Sequence, residues 1–163
     1  MPAPSGNPAG LESRVSALGL ILPTPPTPLG AYVESSDTGN LLFLSGILPI
    51  KDGKVAYPGR LGDNLSIEQG QQAARIASLK VLAAAKQHLG TLDLLTKLVK
   101  LTVLIATTEQ FADHAPVADG ASNLFIQLFG AEAGHTRLVY GVQSLPVSAP
   151  LIVDALFEIK PAT

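Results

Sequence analysis

The sequence predicts an α+β domain: a mixed β-sheet with two helices packed on one of its faces. Three observations predict it. Mostly apolar runs recur at residues 41–48, 98–107, 137–144 and 151–159, that of 98–107 β-branched as well. Two longer segments, 66–89 and 117–128, read as helices instead. The resulting order is a hairpin, a short strand, a helix, a strand, a helix and two strands, which suggests helices layered on a sheet. At 163 residues the chain is one domain, and no internal repeat of fixed period is present.

Residues 1–10, MPAPSGNPAG, are Pro, Gly, Ser and Ala apart from Met1 and Asn7, and are expected to be a disordered tail. Leu11, Val15 and Leu18 recur at i, i+4 and i+7, which predicts a short helix stopped by Gly19. LPTPPTP (22–28) carries four prolines in seven positions and predicts an extended connector. Residues 29–163 form the main domain. Its first hairpin is expected to enter at Tyr32–Ser35, turn at DTGN (37–40) and return along Leu41–Leu48. KDGKVAY (51–57) predicts a second turn and a short strand.

Ser66 with Gln69 three residues on is a capping-box pattern, so a helix is expected from Ser66 as N-cap to about Leu89, ending at Gly90. Ala73, Ala74, Ala77, Ala83, Ala84 and Ala85 suit close packing on a sheet, with a dimer seam as the rival explanation. LVKLTVLIAT (98–107) predicts a central strand. Val117, Ala121, Leu124, Phe125 and Leu128 mark an amphipathic helix broken by Gly130 and Gly134. Two strands close the fold, Arg137–Ser144 and Leu151–Ile159, joined by LPVSAP.

Composition narrows the function. Charged residues make up 15% of the chain, where about a quarter is usual; a surface hidden between copies or a large core would account for it, and homo-oligomerisation is the expectation. A net charge of −2 gives no footprint for nucleic acid. Without cysteine there is no thiolate or disulfide chemistry. Nothing resembles a signal peptide or a membrane span, so a soluble, cytoplasmic protein is expected. His88, His114 and His135 are far apart and lack ligand partners at i+4, so no metal is expected, and no nucleotide-binding motif is present.

Two places carry candidate chemistry. Ser45 stands where a strand becomes a turn, so its hydroxyl and the Gly46 backbone either face a cleft or simply end the strand. Arg137 opens an apolar strand on the same side as Val139, Gly141 and Gln143. It is either solvated or paired with a carboxylate, from the protein or from a ligand, which its planar fork suits.

PLGAYVESSDTGNLLFLSGILPI, VKLTVLIATTEQFAD and TRLVYGVQSLPVSAPLIVDALFEI resemble the Rid family, the reactive intermediate deaminases formerly called YjgF. The most specific element is Arg137 followed nine residues later by Pro146 of a Leu-Pro pair; Gly30-Ala31-Tyr32-Val33 and Ser45-Gly46 are the others. The likeness covers about residues 22–160, and the added N-terminal helix and Pro-rich connector resemble its chorismate mutase-like branch. The resemblance implies a fold like the AroH-type chorismate mutase, a homotrimer with clefts between subunits, and a hydrolase that needs no cofactor. It implies deamination of 2-imino and enamino acids to 2-keto acids and ammonia. Arg137 would hold the substrate carboxylate, with Ser45 as a second catalytic residue. Tyr32, Gly46 and Ser122 would bind substrate, Ser122 standing where the family has asparagine. Two other readings are a small-carboxylate (keto acid) binding protein and an endoribonuclease. One departure stands out: the family's water-handling glutamate falls on Ile152, with Asp154 and Glu158 on the same strand face but out of position.

Overall fold

A computed structural model describes residues 10–161. The tail expected over residues 1–10 therefore lies outside the described residues, apart from Gly10. Helix α1 (Leu11–Ala17) comes first, and the Pro-rich connector has no regular structure. A hairpin of β1 (Ser35–Thr38) and β2 (Leu41–Leu44) follows, then a small hairpin of β3 (Ile50–Lys51) and β4 (Lys54–Val55). Helix α2 (Ile67–Leu89), strand β5 (Leu95–Ala106), helix α3 (His114–Phe129), strand β6 (Thr136–Val142) and strand β7 (Leu151–Ile159) complete the chain.

The main sheet has the order β1-β2-β7-β5-β6. Only β5 and β6 are parallel, with α3 as the crossover between them. The other pairs are antiparallel, so the sheet is mixed as the sequence predicts. Strand β7 shows how the layers arise. Its Leu151, Val153, Ala155, Phe157 and Ile159 are buried, while the residues between them are exposed or half-buried. The buried set meets Ala73, Ala77, Val81, Leu124, Phe125 and Leu128 from α2 and α3 in one core. The two helices cross at glycines: a Cβ on Gly120 would lie 2.3 Å from the Gln71 carbonyl oxygen, and one on Gly70 would lie 2.9 Å from Val117 Cγ1.

The capping box at Ser66 and Gln69 is present, and α2 ends at Gly90 in the left-handed conformation. Two expectations need correction. The first hairpin is shifted: β1 begins at Ser35, and Asp37 and Thr38 already pair with Leu42 and Leu41, so the turn is Gly39-Asn40 alone. Gly39, at φ +57°, allows that two-residue turn. Tyr32 is kept out of the ladder because its N–H donates to the Gly30 carbonyl. The returning strand also stops at Leu44 rather than Leu48, because Ser45 turns its hydroxyl onto the Val33 carbonyl; a single bridge resumes at Ile47–Val153.

The opposite face of the sheet carries no helix. Phe43, Leu138 and Tyr140 are each about half exposed there; Phe43 pairs with Leu156, Tyr140 with Leu104, which pairs in turn with Ile152, and Leu138 with Thr102. Among the described residues no helix is long and apolar enough to cross a membrane.

Candidate functional site

Arg137 sits on β6, an edge strand, and reaches toward α3. Its Nη1 donates to Asp119 Oδ1 at 2.6 Å and to Ser122 Oγ at 3.1 Å. A protein carboxylate therefore meets part of the arginine's need for an anion. Asp119 is half exposed and the arginine side chain is 24% exposed. Among the described residues, the Nε and Nη2 edge of the guanidinium has no hydrogen-bonded partner. That edge is the one a second carboxylate would engage.

Ser122 links Arg137 to His135, whose Nε2 lies 2.9 Å from the serine oxygen. Since the oxygen already accepts from Arg137, its proton is free to point at Nε2, which suits an imidazole protonated on Nδ1 only. Burial first, and then the neighbouring Arg137 charge, holds the His135 pKa below its ordinary value.

Tyr32, Ser45 and Gly46 lie elsewhere, on the β1–β2 side of the sheet. Arg137 is three strands away from that side, about 14 Å at the usual strand spacing. One protomer thus brings Ser122 to Arg137 but not Tyr32, Ser45 or Gly46. Ser45 Oγ is occupied by the Val33 carbonyl at 2.6 Å, and Tyr32 Oη accepts from the Leu29 N–H at 3.0 Å. The N–H groups of Ser45 and Ile47 donate to Glu34 and Val153 carbonyls. Between them, the N–H of Gly46, an exposed residue, has no acceptor among the described residues. Ile152 packs against this glycine: a Cβ on Gly46 would lie 2.7 Å from Ile152 Cγ2.

Tyr32 and Gly46 also line a cavity of about 120 Å³, roofed by Pro25, Pro26 and Thr27 of the connector and reached by Glu34 and Lys80. Lys80 is 7% exposed and donates to the Thr24 carbonyl at 2.9 Å, which straps the connector to α2. Glu34 Oε2 is buried with no hydrogen-bond partner. Burial pushes the Glu34 carboxyl above its usual range against the opposing charge of Lys80, and pushes the Lys80 ammonium below its own against Glu34.

The sequence reading singles out neither of these two. Lys80 had a signal, being a lysine set into the buried stripe of Ala73, Ala77 and Ala84. Glu34 had none, because its burial depends on the connector folding over it. Among the described residues no three His, Asp or Glu side chains converge as a metal site requires.

Comparison with known proteins agrees with this architecture. Residues 12–159 match the family described as "YjgF/chorismate mutase-like, putative endoribonuclease". The chain is 38% identical over 151 residues to Protein TCP17 of Trypanosoma cruzi, covering 92% of this chain and 94% of that protein. It is 32% identical over 134 residues to the RutC family protein y4sK of Sinorhizobium fredii, covering 82% and 91%. A crystal structure from Shewanella oneidensis MR-1, which carries the same endoribonuclease description, superposes with a TM-score of 0.88 at 31% identity, covering 93% of this chain and all of that one. With its mixed sheet, its one-sided helices and a match spanning residues 12–159, the chain belongs to the YjgF/chorismate mutase-like family.

Proposed function

We propose that the protein is a cytoplasmic hydrolase that converts small 2-imino and enamino acids to 2-keto acids and ammonia, in clefts between the copies of a homotrimer. The observation that carries this reading is the Arg137 guanidinium. Asp119 and Ser122 fix it through one nitrogen, and its other edge is left for a planar carboxylate. A neutral His135 behind Ser122 adds no second charge to the anchor.

Distance supports a cleft shared between copies. Arg137 and the unpaired Gly46 N–H lie on opposite sides of the sheet of one protomer, so a substrate held by both must sit between two. The helix-free face, with Phe43, Leu138 and Tyr140, supplies apolar surface for such an assembly. In the cleft Arg137 would orient the carboxylate, while Tyr32 and the Gly46 N–H border the imine carbon and its attacking water. That carbon is electrophilic without a cofactor. Ser45, with its hydroxyl committed to Val33, contributes through the turn that presents Gly46.

A second reading is favoured by Ile152, which puts a hydrocarbon where the deaminase pattern has an acid: a keto-acid binding protein without efficient turnover. RNA cleavage has less support, since 11 Lys and Arg face 13 Asp and Glu. Incubating the purified protein with freshly generated 2-aminoacrylate separates these readings. Keto acid released faster than in buffer supports deamination; tight 2-ketobutyrate binding at the buffer rate supports the binding protein.

A further inference from the structure

The proposed deamination needs a group that moves protons between water and the leaving nitrogen, and Ile152 cannot do this. We propose that Glu34 does so instead, from the cavity it shares with Tyr32 and Gly46. The inference rests on the deaminase reading of the same cleft.

Three observations carry it. Glu34 lines the cavity, and its Oε2 is buried with no donor; leaving an acceptor so is costly, so the carboxyl gains from any donor brought into the cavity. The same cavity is bordered by Gly46, whose N–H is unpaired and against which Ile152 packs. A carboxylate is thus offered beside the glycine where the usual acid is missing. Finally, Lys80 also reaches the cavity, yet its ammonium donates to the Thr24 carbonyl and forms no ion pair with Glu34. The carboxylate is charge-compensated without being capped.

In the step, the carboxylate takes a proton from water as the water oxygen bonds to the imine carbon, and the C=N π pair moves onto nitrogen. Glu34 returns the proton to that nitrogen, giving a neutral carbinolamine. It then relays the hydroxyl proton to the amino group as the carbonyl forms and the C–N bond breaks, releasing keto acid and ammonia. No oxidant, reductant or metal enters the balance.

Lys80 and the Tyr32 phenol are the titratable groups that line the cavity with Glu34; the Pro25–Leu29 and Gly46–Ile50 segments add none. Burial already lifts the carboxyl's pKa, so the rate should fall at a pH above the ordinary carboxylate range as Glu34 takes up its proton.

The test measures imine hydrolysis against pH for the full chain, for Glu34→Gln and for Lys80→Met, with 2-ketobutyrate binding followed by calorimetry. Glu34→Gln is expected to lower kcat about 10²- to 10⁴-fold, to erase the acid limb, and to leave 2-ketobutyrate affinity within about twofold. Lys80→Met removes the charge that holds the Glu34 pKa down, so the acid limb should move to higher pH, a result that does not depend on the glutamine variant folding. A wild-type enzyme that turns over, with Glu34→Gln keeping its rate and limb or Lys80→Met leaving the limb in place, overturns the role of Glu34 alone. A wild-type rate equal to that in buffer overturns the deaminase reading, and this inference with it.

Discussion

Arg137 and Asp119 are joined at 2.6 Å across the gap between β6 and α3, so the guanidinium is oriented before any ligand arrives. Preorganisation of this kind lowers the entropy lost on binding. Truncating a charged hydrogen-bond partner costs roughly 1.5–3 kcal/mol. Arg137→Ala should therefore weaken 2-ketobutyrate binding about 10- to 150-fold by calorimetry, with an unchanged far-ultraviolet circular dichroism spectrum. Arg137→Lys should recover only part of the loss, because a point charge does not reproduce the fork. Equal affinity in Arg137→Ala would mean that the arginine serves α3 packing alone.

Assembly is tested on the open face of the sheet. The wild type should sediment as a trimer at micromolar concentration. Leu138→Glu places a charge on the helix-free face, where Leu138 is 48% exposed in the single chain, and should shift the population toward monomer. A monomeric wild type would remove the shared cleft.

The helix crossing gives a stability test. A Cβ on Gly120 would meet the backbone of Gln71, with its carbonyl oxygen at 2.3 Å and its Cα at 2.7 Å, and backbone cannot swing aside as a flexible side chain can. Gly120→Ala should cost about 1–3 kcal/mol in urea unfolding, the usual range for overpacking.

His135 sets a pH dependence of known sign. Its pKa is lowered in the folded protein, against about 6.5 when unfolded. Between those two values the unfolded chain binds the extra proton, so acidification favours unfolding. Relative to His135→Asn, the wild type should lose stability as pH falls from 7 through this window, then run parallel to the variant below the native pKa. Thermal melts of both proteins across pH 4–8 would show it. Curves parallel throughout would mean that His135 keeps its ordinary pKa in the fold.

Much of the fold is legible locally. Ser66, Gln69 and Gly90 mark both ends of α2 because caps are satisfied by near neighbours, and β7 announces itself as an apolar run. The first hairpin is misjudged by a few residues because Asp37 and Thr38 look like turn residues, yet pair with Leu42 and Leu41 once Gly39 takes the left-handed turn. The candidate site is legible only where one residue type carries it. Arg137 stands out as a cation opening an apolar strand. Its partner Asp119 does not, since the pairing requires α3 to lie beside β6. Glu34 is further out of reach: it shares its cavity with connector residues that Lys80 straps to α2 through the Thr24 carbonyl.

The decisive measurement is keto-acid release from freshly generated 2-aminoacrylate by wild type and Arg137→Ala, side by side with a protein-free control. The wild type should exceed the control, and Arg137→Ala should fall back toward it. A wild-type rate equal to the control, or an Arg137→Ala rate equal to the wild type, would contradict it.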